Sequence, residues 1–581
     1  MLDLLRPPRG VRLVLLVVAL AGVALVLVAS RDGLGTTPDG VSYLGAADNV
    51  ADGRGLTGAF TTALDPFTPE RAVAFDGAVP FIQWPPGYPA VLSVGTVLGV
   101  SAADAARLVN ALAFGALLAL VGWITWSLVG AGRSDRSALG AAVATAVVVV
   151  VVGIQPYLAL LSVLVASEPL YVVVALAAVW CFVRWVARSS GGPPAVDGLL
   201  VGAFALAAAG ALTRFVGLSL VGALGVALVL LAGGPIGRRL LVGAGAVAAA
   251  AAPALAWTVV VGRQAGTSVR TVVWHPPDEP QWRLAASSIQ EWVVPPDAST
   301  PWRAVLSVAA ALAVLVSAWG WSVVIRSEGR VGLARPWVVT VALALVSYLV
   351  VVVATHSLLD RVVPIGQRLF TPIVPLVVIT VVVGFAHAVA RPTPTPTPTP
   401  TEPVDVDARS APSTSTGSGG SGGSGGRVLG GRVLGAVGLV VVGVVVIGLG
   451  GSWWNLAEPG RPWPADPATT PTGAYLNALD DDALIVANDP SLAWQTAERQ
   501  TIALPVRTYA ATGRPNPAFD AEVRQVGDLV RARDGVAVVY RLAAFVNPQT
   551  TTLADLESLA GLEVVATFDD AVVLADPRAA R

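Results

Sequence analysis

Long apolar runs recur along this chain of 581 residues and constrain its fold more than any other feature. A transmembrane helix needs about 20 consecutive, mostly apolar residues. Runs of this kind occur near residues 11–30, 104–130, 137–155, 169–187, 196–213, 214–233, 240–262, 303–325, 336–355, 369–390 and 433–451. They predict an α-helical polytopic membrane protein with about eleven transmembrane helices.

The composition supports this class of protein. Hydrophobic residues make up 54% of the chain and charged residues 13%, whereas soluble domains carry about a quarter charged residues. The net charge of -1 provides no basic field, so nucleic acid is not an expected partner. A single cysteine, Cys181, excludes a disulfide framework, and the three histidines are too scattered for a metal-binding motif.

The first apolar run resembles a signal peptide, but its length and the spans that follow indicate a retained helix. With a cytoplasmic N-terminus, most short cytoplasmic loops carry arginine, as the positive-inside rule requires. The stretch 86–100 is shorter and begins with a Pro-rich break, which favours a surface or re-entrant helix. The chain is therefore predicted to be a multi-pass plasma-membrane protein whose C-terminal domain is extracytoplasmic.

The chain divides into four regions by composition. Residues 1–391 form the predicted transmembrane domain, with long outer loops at 31–103 and 263–302. Residues 392–432 are rich in Pro and Thr, then in Gly and Ser, and form a predicted cytoplasmic linker before the last span at 433–451.

Residues 452–581 are predicted to form a small α/β accessory domain. Strand patterns occupy 483–488, 537–542, 562–568 and 571–575, and helical patterns occupy 490–499, 517–533 and 552–560. Asp489 can cap a helix that begins at Pro490. The domain has neither a phosphate-binding Gly-rich loop nor a nucleophile elbow.

The first outer loop opens with TTPDGVSYLGAADNVADGRGL, residues 36–56. Thr37 is a favourable N-cap, Pro38 a favourable first helical residue, and Asp39 falls in the first turn. An acid at that position stabilises the helix dipole, which explains Asp39 without any catalytic role.

The helical period adds a second consideration for this loop. Asp39 and Tyr43 share the face that is expected to pack onto the membrane domain, while Asp48 and Asp52 fall on the opposite, solvated face. A carboxylate on a packed face is costly and needs an explanation. A catalytic and a structural role for Asp39 therefore both stay open.

Further polar and aromatic residues lie at the predicted outer ends of spans. Trp84 and Tyr88, in FIQWPPGYPAVLS, suit the membrane interface and can be explained as anchors. Glu168, in LSVLVASEPLYVVVAL, lies beside Pro169, which can start a span, and Ser167 is the candidate cap of that span. An ionisable residue at this depth is expensive and marks a functional candidate, although a first-turn acid is the simpler explanation.

Three arginines near the predicted outer face run against the positive-inside trend. Arg214 lies in the tight hairpin LTRFVGLSL, and the segment THSLLDRVVPIGQRLFTPIVP holds the others together with a histidine and an acid: His356, Asp360, Arg361 and Arg368. Asp360 and Arg361 can also be explained as a rim ion pair. Arginine suits phosphate at this depth, because its planar fork binds two oxygens.

The order of these motifs resembles the GT-C membrane glycosyltransferases, the superfamily that holds the protein O-mannosyltransferases and the lipid A aminoarabinose transferase. The matching parts are PDGVSYLGAADNVADGRGL, WPPGYPAVLS, AADAARLVNALAFGALL, SEPLY, LTRFVGL and RLFTPIVP. They cover roughly residues 10–390, and the ordered set is specific for the superfamily rather than for one sugar. In the tail, ANDPSLAWQTAERQTIALPV resembles the outer domain of many bacterial members.

The resemblance implies a hexosyl- or pentosyltransferase that moves a sugar, with inversion, from a polyprenyl phosphate to an extracytoplasmic glycan, lipid or protein. By position, the resemblance implies that Asp39 is the catalytic base or acceptor-orienting acid. It implies that Glu168 is a second catalytic acid, which would position the acceptor or a cation. Many members have paired acids where this chain has Asp39 and Gly40. Whether a divalent cation (Mg or Mn) takes part therefore stays open, and no metal ligand is assigned.

The remaining site candidates are substrate-binding residues. Arg361 and Arg368 are the candidates for neutralising the leaving phosphate of the donor. The others surround them in the predicted outer face, next to membrane lipid: Tyr43, Trp84, Tyr88, Arg214, His356 and Asp360.

Two other classes of protein fit part of the pattern. A transporter or flippase of lipid-linked sugars accounts for the spans and the outer arginines. It does not account for a long first loop with an acid at its helix start, and the sequence shows no internal repeat of the kind that transporters have. A scaffold that presents the C-terminal domain needs none of the intramembrane acids. The sequence favours the transferase.

Overall fold

The computed structural model describes residues 8–62, 67, 78–130, 135–189, 193–265, 272–294, 299–328, 332–359, 363–389, 453, 456, 467–497, 499, 501–509, 513–541 and 550–578. The predicted linker 392–432 and the predicted last span 433–451 lie outside these residues.

Most of the described chain is helical. The first part contains α1 (Arg9–Ala29), α2 (Pro38–Ala51), α3 (Gly87–Val97), α4 (Ala102–Gly130), α5 (Asp135–Gly153), α6 (Pro156–Ser162), α7 (Glu168–Ser189), α8 (Gly198–Thr213), α9 (Gly217–Leu231), α10 (Ile236–Ala265), α11 (Glu279–Gln290), α12 (Thr300–Glu328), α13 (Ala334–Leu358), α14 (Gln367–Phe370) and α15 (Val374–Val389). A 3₁₀ turn at Thr371–Ile373 joins the last two.

Seven stretches of the described chain are long and apolar enough to cross a membrane: α1, α4, α7, α10, α12, α13 and residues 367–389. The pair α5 and α6 is bent by 61° and makes an eighth if it is one span. Helices α8 and α9 are apolar but have only 16 and 15 residues. At about 1.5 Å per residue they are shorter than the ~30 Å hydrocarbon layer.

The polytopic helical fold predicted from the sequence is confirmed, but the number of eleven spans is not. The runs 196–213 and 214–233 form the two short helices, and 433–451 cannot be checked. The stretch 86–100 gives the 11-residue helix α3, which is too short to cross a bilayer, as predicted.

Helix α7 lies at the centre of the bundle, where it packs against α4, α8, α9 and α13. Its apolar side chains are buried on several sides, including Phe182 and Trp185. Trp185 Nε1 donates a hydrogen bond to the Ala195 carbonyl over 3.0 Å, so the polar edge of this buried ring is satisfied. This packing fixes the position of Glu168, the first residue of α7.

Two connections cover the end of the bundle at which α7 begins, called the loop face below. The first connection is fixed next to α7 at its start, because Gly35 N donates to Val163 O over 3.0 Å and Val165 N donates to Gly35 O over 2.8 Å. Within this connection α2 packs on α3, and β1 (Thr57–Gly58) pairs with β2 (Val79–Pro80) in antiparallel fashion.

The second connection of the loop face braces the segment that leads into α14. His275 N donates to Ser357 O over 2.8 Å, and Asp278 caps α11. On α11, Gln281 Oε1 accepts from Ile365 N over 3.0 Å. The second long loop is thus held against residues 363–366, directly before Arg368.

The C-terminal domain has a five-stranded sheet of order β4-β3-β7-β9-β8, in which β4, β3 and β7 are parallel and β9 runs antiparallel to β7 and β8. Its elements are a 3₁₀ turn (Pro467–Thr469), α16 (Pro471–Asn477), β3 (Ile485–Ala487), α17 (Pro490–Ala497), β4 (Thr501–Ala503), β5 (Thr508–Tyr509), β6 (Arg514–Pro515), α18 (Phe519–Ala532), β7 (Val536–Tyr540), α19 (Leu553–Ser558), β8 (Glu563–Thr567) and β9 (Ala571–Ala575).

The four strands and three helices predicted for this domain are confirmed within two or three residues at each end. Asp489 Oδ1 accepts from Leu492 N over 3.1 Å and caps the helix that begins at Pro490, as predicted. The short strands β4, β5 and β6 were not predicted, because two or three residues give no readable alternation.

Candidate active site

Helix α2 begins as its sequence predicts. Thr37 is extended, with φ −130° and ψ 163°, and its side chain accepts from Gly40 N over 3.1 Å. Pro38 occupies the first helical position and Asp39 the first turn. The Asp39 side chain is 29% exposed, so the carboxylate lies at the boundary between protein and solvent.

Gly40 brings α2 into contact with the segment before α7. A Cβ atom on residue 40 would lie 2.6 Å from Val165 O, closer than any side chain can approach. This close approach accounts for Gly40 at the position where many members of the superfamily that the sequence resembles have a second acid. A second acid at residue 40 does not fit beside α7.

Tyr43 lies one turn after Asp39 and belongs to an aromatic cluster next to the site. Its ring contacts Phe81, Trp84 and Tyr88, with centroid distances of 6.5, 6.3 and 5.2 Å and near-perpendicular planes. Tyr88 donates to Asn110 Oδ1 over 3.0 Å. Edge-to-face contacts of this kind hold α2 against α3 and α4.

Burial decides how these aromatic residues can act. Tyr43 is 2% exposed and Tyr88 is 0% exposed. A direct substrate contact, as predicted for both, is not open to the Tyr88 ring in this conformation, whereas Trp84 is only half-buried. Burial raises the pKa of Tyr43, and the Asp39 carboxylate raises it further, so its hydroxyl stays protonated at neutral pH.

Glu168 is fully buried at the start of α7, where its Oε1 atom forms ion pairs with two arginines and accepts a hydrogen bond from one of them, Arg368. Arg214 Nη1 lies 2.6 Å from this oxygen and Arg368 Nε also lies 2.6 Å from it. Two ion pairs on one oxygen, one of them a charge-assisted hydrogen bond, compensate for the burial of the carboxylate. Glu168 therefore anchors both arginine side chains.

The other Glu168 oxygen, Oε2, is buried and has no hydrogen-bond partner among the residues that the structure describes. The neighbouring Ser167 hydroxyl accepts from Arg214 Nη1 over 3.3 Å and lies 3.5 Å from the Tyr43 hydroxyl. It thus links α7 to both α2 and the hairpin between α8 and α9.

Arg368, on α14, joins the two acids that the sequence singled out. Its Nε atom binds Glu168, and its Nη2 atom lies 2.7 Å from Asp39 Oδ2. The side chain is 37% exposed, compared with 16% for Arg214. The accessible end of this cluster therefore presents one cation and one anion side by side.

The charges in the cluster alternate in the order Arg214, Glu168, Arg368 and Asp39, and they sum formally to zero. Glu168 is fully buried and Arg214 largely so, whereas Arg368 and Asp39, at the other end of the cluster, reach solvent. A cluster of this kind can bind an anion at Arg368 and accept a proton at Asp39.

The remaining predicted residues lie apart from this cluster or outside the described chain. His356 is 4% exposed; its Nδ1 atom lies 3.0 Å from Val363 O, and its ring stands 6.1 Å from that of His275. Asp360 and Arg361 lie outside the described residues, so their predicted role is unchanged.

The carboxylates of the site do not fit a dedicated divalent-cation site. Arg368 lies between Asp39 and Glu168 and binds both. Among the residues that the structure describes, no three His, Cys, Asp or Glu side chains group closely enough to hold a metal ion. We therefore derive no chemical step through Mg or Mn.

Two members of the site were missed by the sequence analysis. Asn110, 0% exposed on α4, accepts from Tyr88 and donates to Leu164 O over 2.6 Å. A lone amide in the apolar run of α4 is the signal that could have revealed it. Ser167 was expected to cap α7, but its side chain instead contacts Arg214 and Tyr43.

The helical bundle, the helix-bearing first loop on the loop face and the appended sheet domain define a multi-pass membrane protein with the GT-C fold. The solved structure of ArnT from Cupriavidus metallidurans bound to undecaprenyl phosphate is similar over 98% of this chain and 98% of that chain, with a TM-score of 0.54 and 14% identity.

The apo state of the same ArnT gives a TM-score of 0.50 and 14% identity over 97% of each chain. The mycobacterial arabinofuranosyltransferase AftD gives 0.46 and 14%, over 97% of this chain and 41% of its own. No family model matches the chain, and no curated protein matches its sequence. At such low identity the likeness to ArnT shows the fold.

Proposed function

We propose that this protein is a membrane glycosyltransferase that moves a sugar from a polyprenyl phosphate to an acceptor hydroxyl. One observation carries the proposal: at the accessible end of the buried cluster, a cation (Arg368) and an anion (Asp39) lie 2.7 Å apart. The fold is that of ArnT, whose solved structure holds undecaprenyl phosphate, and this supports a donor of that class.

Arg368 is the proposed binding group for the donor phosphate. Its guanidinium is held from behind by Glu168, so part of its conformational freedom is already lost before the donor arrives. A planar guanidinium matches two phosphate oxygens. As the bond between sugar and phosphate breaks, negative charge grows on the leaving oxygen, and a preorganised cation stabilises it.

Asp39 is the proposed base. The acceptor oxygen attacks the anomeric carbon, its proton passes to the Asp39 carboxylate, and the bond from that carbon to the phosphate oxygen breaks. The polyprenyl phosphate leaves, and a single displacement inverts the configuration. General-base help of this kind is worth roughly 10²–10⁴-fold in rate.

Glu168 and Arg214 act through Arg368 and are positioning residues rather than groups that touch substrate. Both side chains are largely buried. Glu168 Oε1 binds the Arg368 Nε atom, and Arg214 pairs with the same oxygen. This differs from the role of acceptor or cation ligand that the resemblance implies for Glu168.

The acceptor is proposed to be a glycan, lipid or protein of the cell envelope that reaches the loop face from outside the plasma membrane. This orientation places the N-terminus in the cytoplasm and the C-terminal domain outside. It rests on the arginine distribution of the loops.

The test is a transfer assay in reconstituted vesicles. A panel of radiolabelled polyprenyl-phosphate hexoses and pentoses is offered with a cell-envelope acceptor extract, to wild type and Asp39→Asn. Asp52→Asn is the matched control, because Asp52 ends the same helix and its side chain is 53% exposed.

Transfer by wild type and by Asp52→Asn, with a loss of 10²-fold or more in Asp39→Asn, supports the proposal. If none of the labelled sugars is transferred but labelled lipid crosses the bilayer with both wild type and Asp39→Asn, the protein is a transporter. In that case Asp39 is only a first-turn acid that stabilises α2.

A further inference from the structure

The C-terminal domain contacts the helix that carries Asp39. Trp494, on α17, packs against α2 and against Ala59 and Phe60, which follow β1, with its ring 5.9 Å from that of Phe60. A Cβ atom added to Gly45 of α2 would lie 3.3 Å from Trp494 Cζ2 and 2.7 Å from Ala59 Cβ. The helix and the indole are therefore in close contact at a glycine.

Hydrogen bonds join the same two parts of the chain. Ala503 N donates to Thr61 Oγ1 over 2.8 Å, and Phe60 pairs with Thr501 as a parallel bridge. The first loop thereby extends the sheet of the C-terminal domain beyond its edge strand β4. Thr36, which precedes α2, donates from Oγ1 to Gln495 Oε1 over 3.1 Å.

The two faces of α2 meet different partners. Asp39 and Tyr43, four residues apart, face Arg368 and Ser167. Val41 and Gly45, also four residues apart, face Trp494. With 3.6 residues per turn, these two pairs lie on roughly opposite sides of the helix. Helix α2 is thus held between the membrane bundle and the C-terminal domain.

We propose that the C-terminal domain is part of the active site's support, and that Trp494 is a positioning residue for Asp39. The indole presses on the back of α2 and sets the distance from the Asp39 carboxylate to Arg368. This inference rests on the proposed function, since it gives Trp494 an effect on the catalytic step. It replaces the purely accessory role that the sequence suggested for the domain.

Removal of the indole is expected to loosen α2 without removing any group of the cluster. A displacement of about 1 Å at a reacting group can cost 10²-fold in rate. Trp494→Ala should therefore lower kcat for transfer by about 10–10²-fold and leave the KM for the donor within about twofold, because Arg368 stays anchored by Glu168. Trp494→Phe, which keeps a ring at this contact, should retain most of kcat.

Two comparisons separate positioning from a loss of folding. Leu492→Ala removes a side chain from α17 that packs inside the C-terminal domain, so it tests domain stability without touching α2. In an Asp39→Asn background, Trp494→Ala should have no further effect on transfer, because its whole effect passes through the carboxylate. Hydrogen exchange of residues 38–51 reports on α2 directly.

The inference is supported if Trp494→Ala lowers kcat, speeds exchange in α2, and is silent in Asp39→Asn, while Leu492→Ala leaves both readouts near wild type. It is overturned if kcat is unchanged, if α2 exchange is unchanged, or if Leu492→Ala matches the Trp494→Ala loss. A wild-type protein that transfers no sugar overturns the proposed function instead; the exchange measurement then still decides whether Trp494 holds α2.

Discussion

Arg368 Nη2 lies 2.7 Å from Asp39 Oδ2, so the proposed phosphate-binding group and the proposed base hold each other in this conformation. If the proposed function holds, we expect the donor phosphate to draw the guanidinium away from the carboxylate before Asp39 accepts a proton. The proposed function then predicts an order of events in which the donor binds first and its binding frees the base for the acceptor.

Arg368→Lys is expected to lower transfer by roughly 10–150-fold. Arg368 uses Nε for Glu168 and Nη2 for Asp39, and an ammonium group cannot reproduce this fork. Loss of one hydrogen bond between charged groups costs about 1.5–3 kcal/mol, which corresponds to that range of rate. The measurement is kcat/KM for the donor in the vesicle assay.

The control for this variant is Arg283→Lys, because Arg283 is 76% exposed in a surface pair with Glu279. It should leave transfer unchanged, since exposed pairs contribute little. An Arg368→Lys protein as active as wild type would show that a single positive charge, not the fork, is what the site needs.

Glu168→Gln is expected to lower stability by about 3–5 kcal/mol, because it leaves two arginines around a buried neutral group. The carboxylate is 0% exposed and forms ion pairs with both Arg214 and Arg368. Thermal unfolding in detergent is the measurement. Glu279→Gln is the matched control, since its carboxylate is 73% exposed.

A second readout tests whether Glu168 anchors Arg368, and it is measured on the folded fraction of the Glu168→Gln variant. Donor KM should rise together with a fall in kcat, because Arg368 is no longer anchored. A Glu168→Gln protein with wild-type stability and wild-type donor KM contradicts the proposed anchoring of Arg368 by Glu168.

Local features of this fold could be predicted from the sequence because they depend on neighbours along the chain. The cap at Thr37, the short helix at 86–100 and the helix that begins at Pro490 each follow from residues within one or two turns. Apolar runs likewise revealed the membrane helices.

The partners within the site could not be predicted, because they join distant segments. Arg368 meets Glu168 across 200 positions. The charge and the outer location of each residue could be predicted, but its neighbour in the fold could not. The helical period also suggested one packed face for α2, whereas the structure buries two, since Trp494 covers the second.

Gly40→Ala is expected to displace α2 from α7 and to lower both stability and transfer. The added Cβ atom would lie 2.6 Å from Val165 O, a backbone atom that cannot rotate away. Overpacking of this kind costs typically ~1–3 kcal/mol. Transfer should fall further than stability alone explains, because Asp39 is the adjacent residue.

Gly198→Ala is the control for this substitution, since nothing lies within 4 Å of a Cβ atom at Gly198, which also begins a helix. It should be neutral or slightly stabilising. Unfolding temperature and kcat are measured for both variants. Equal results for the two would show that α2 tolerates a shift away from α7 and that its contact is not tight.

Asp555→Asn is expected to destabilise the C-terminal domain at neutral pH but not in acid. Burial of Asp555 acts to raise its pKa, but hydrogen bonds from Thr552 and the neighbouring Arg507 guanidinium outweigh burial and lower the pKa. Thr552 N and Oγ1 donate to Oδ2 over 2.9 and 2.7 Å in a capping box. Loss of the box costs about 1 kcal/mol.

The direction of this pH dependence follows from the lowered pKa of Asp555. The unfolded carboxyl titrates near ~3.9. The stability contributed by the ionised Asp555 is therefore fully present above that value and is lost as pH falls through the lower, folded pKa. The gap in unfolding temperature between wild type and Asp555→Asn should stay constant from about pH 5 to 7 and shrink below about pH 4. The exposed Glu563→Gln is the control, and a gap independent of pH would mean that the charge of Asp555 contributes nothing.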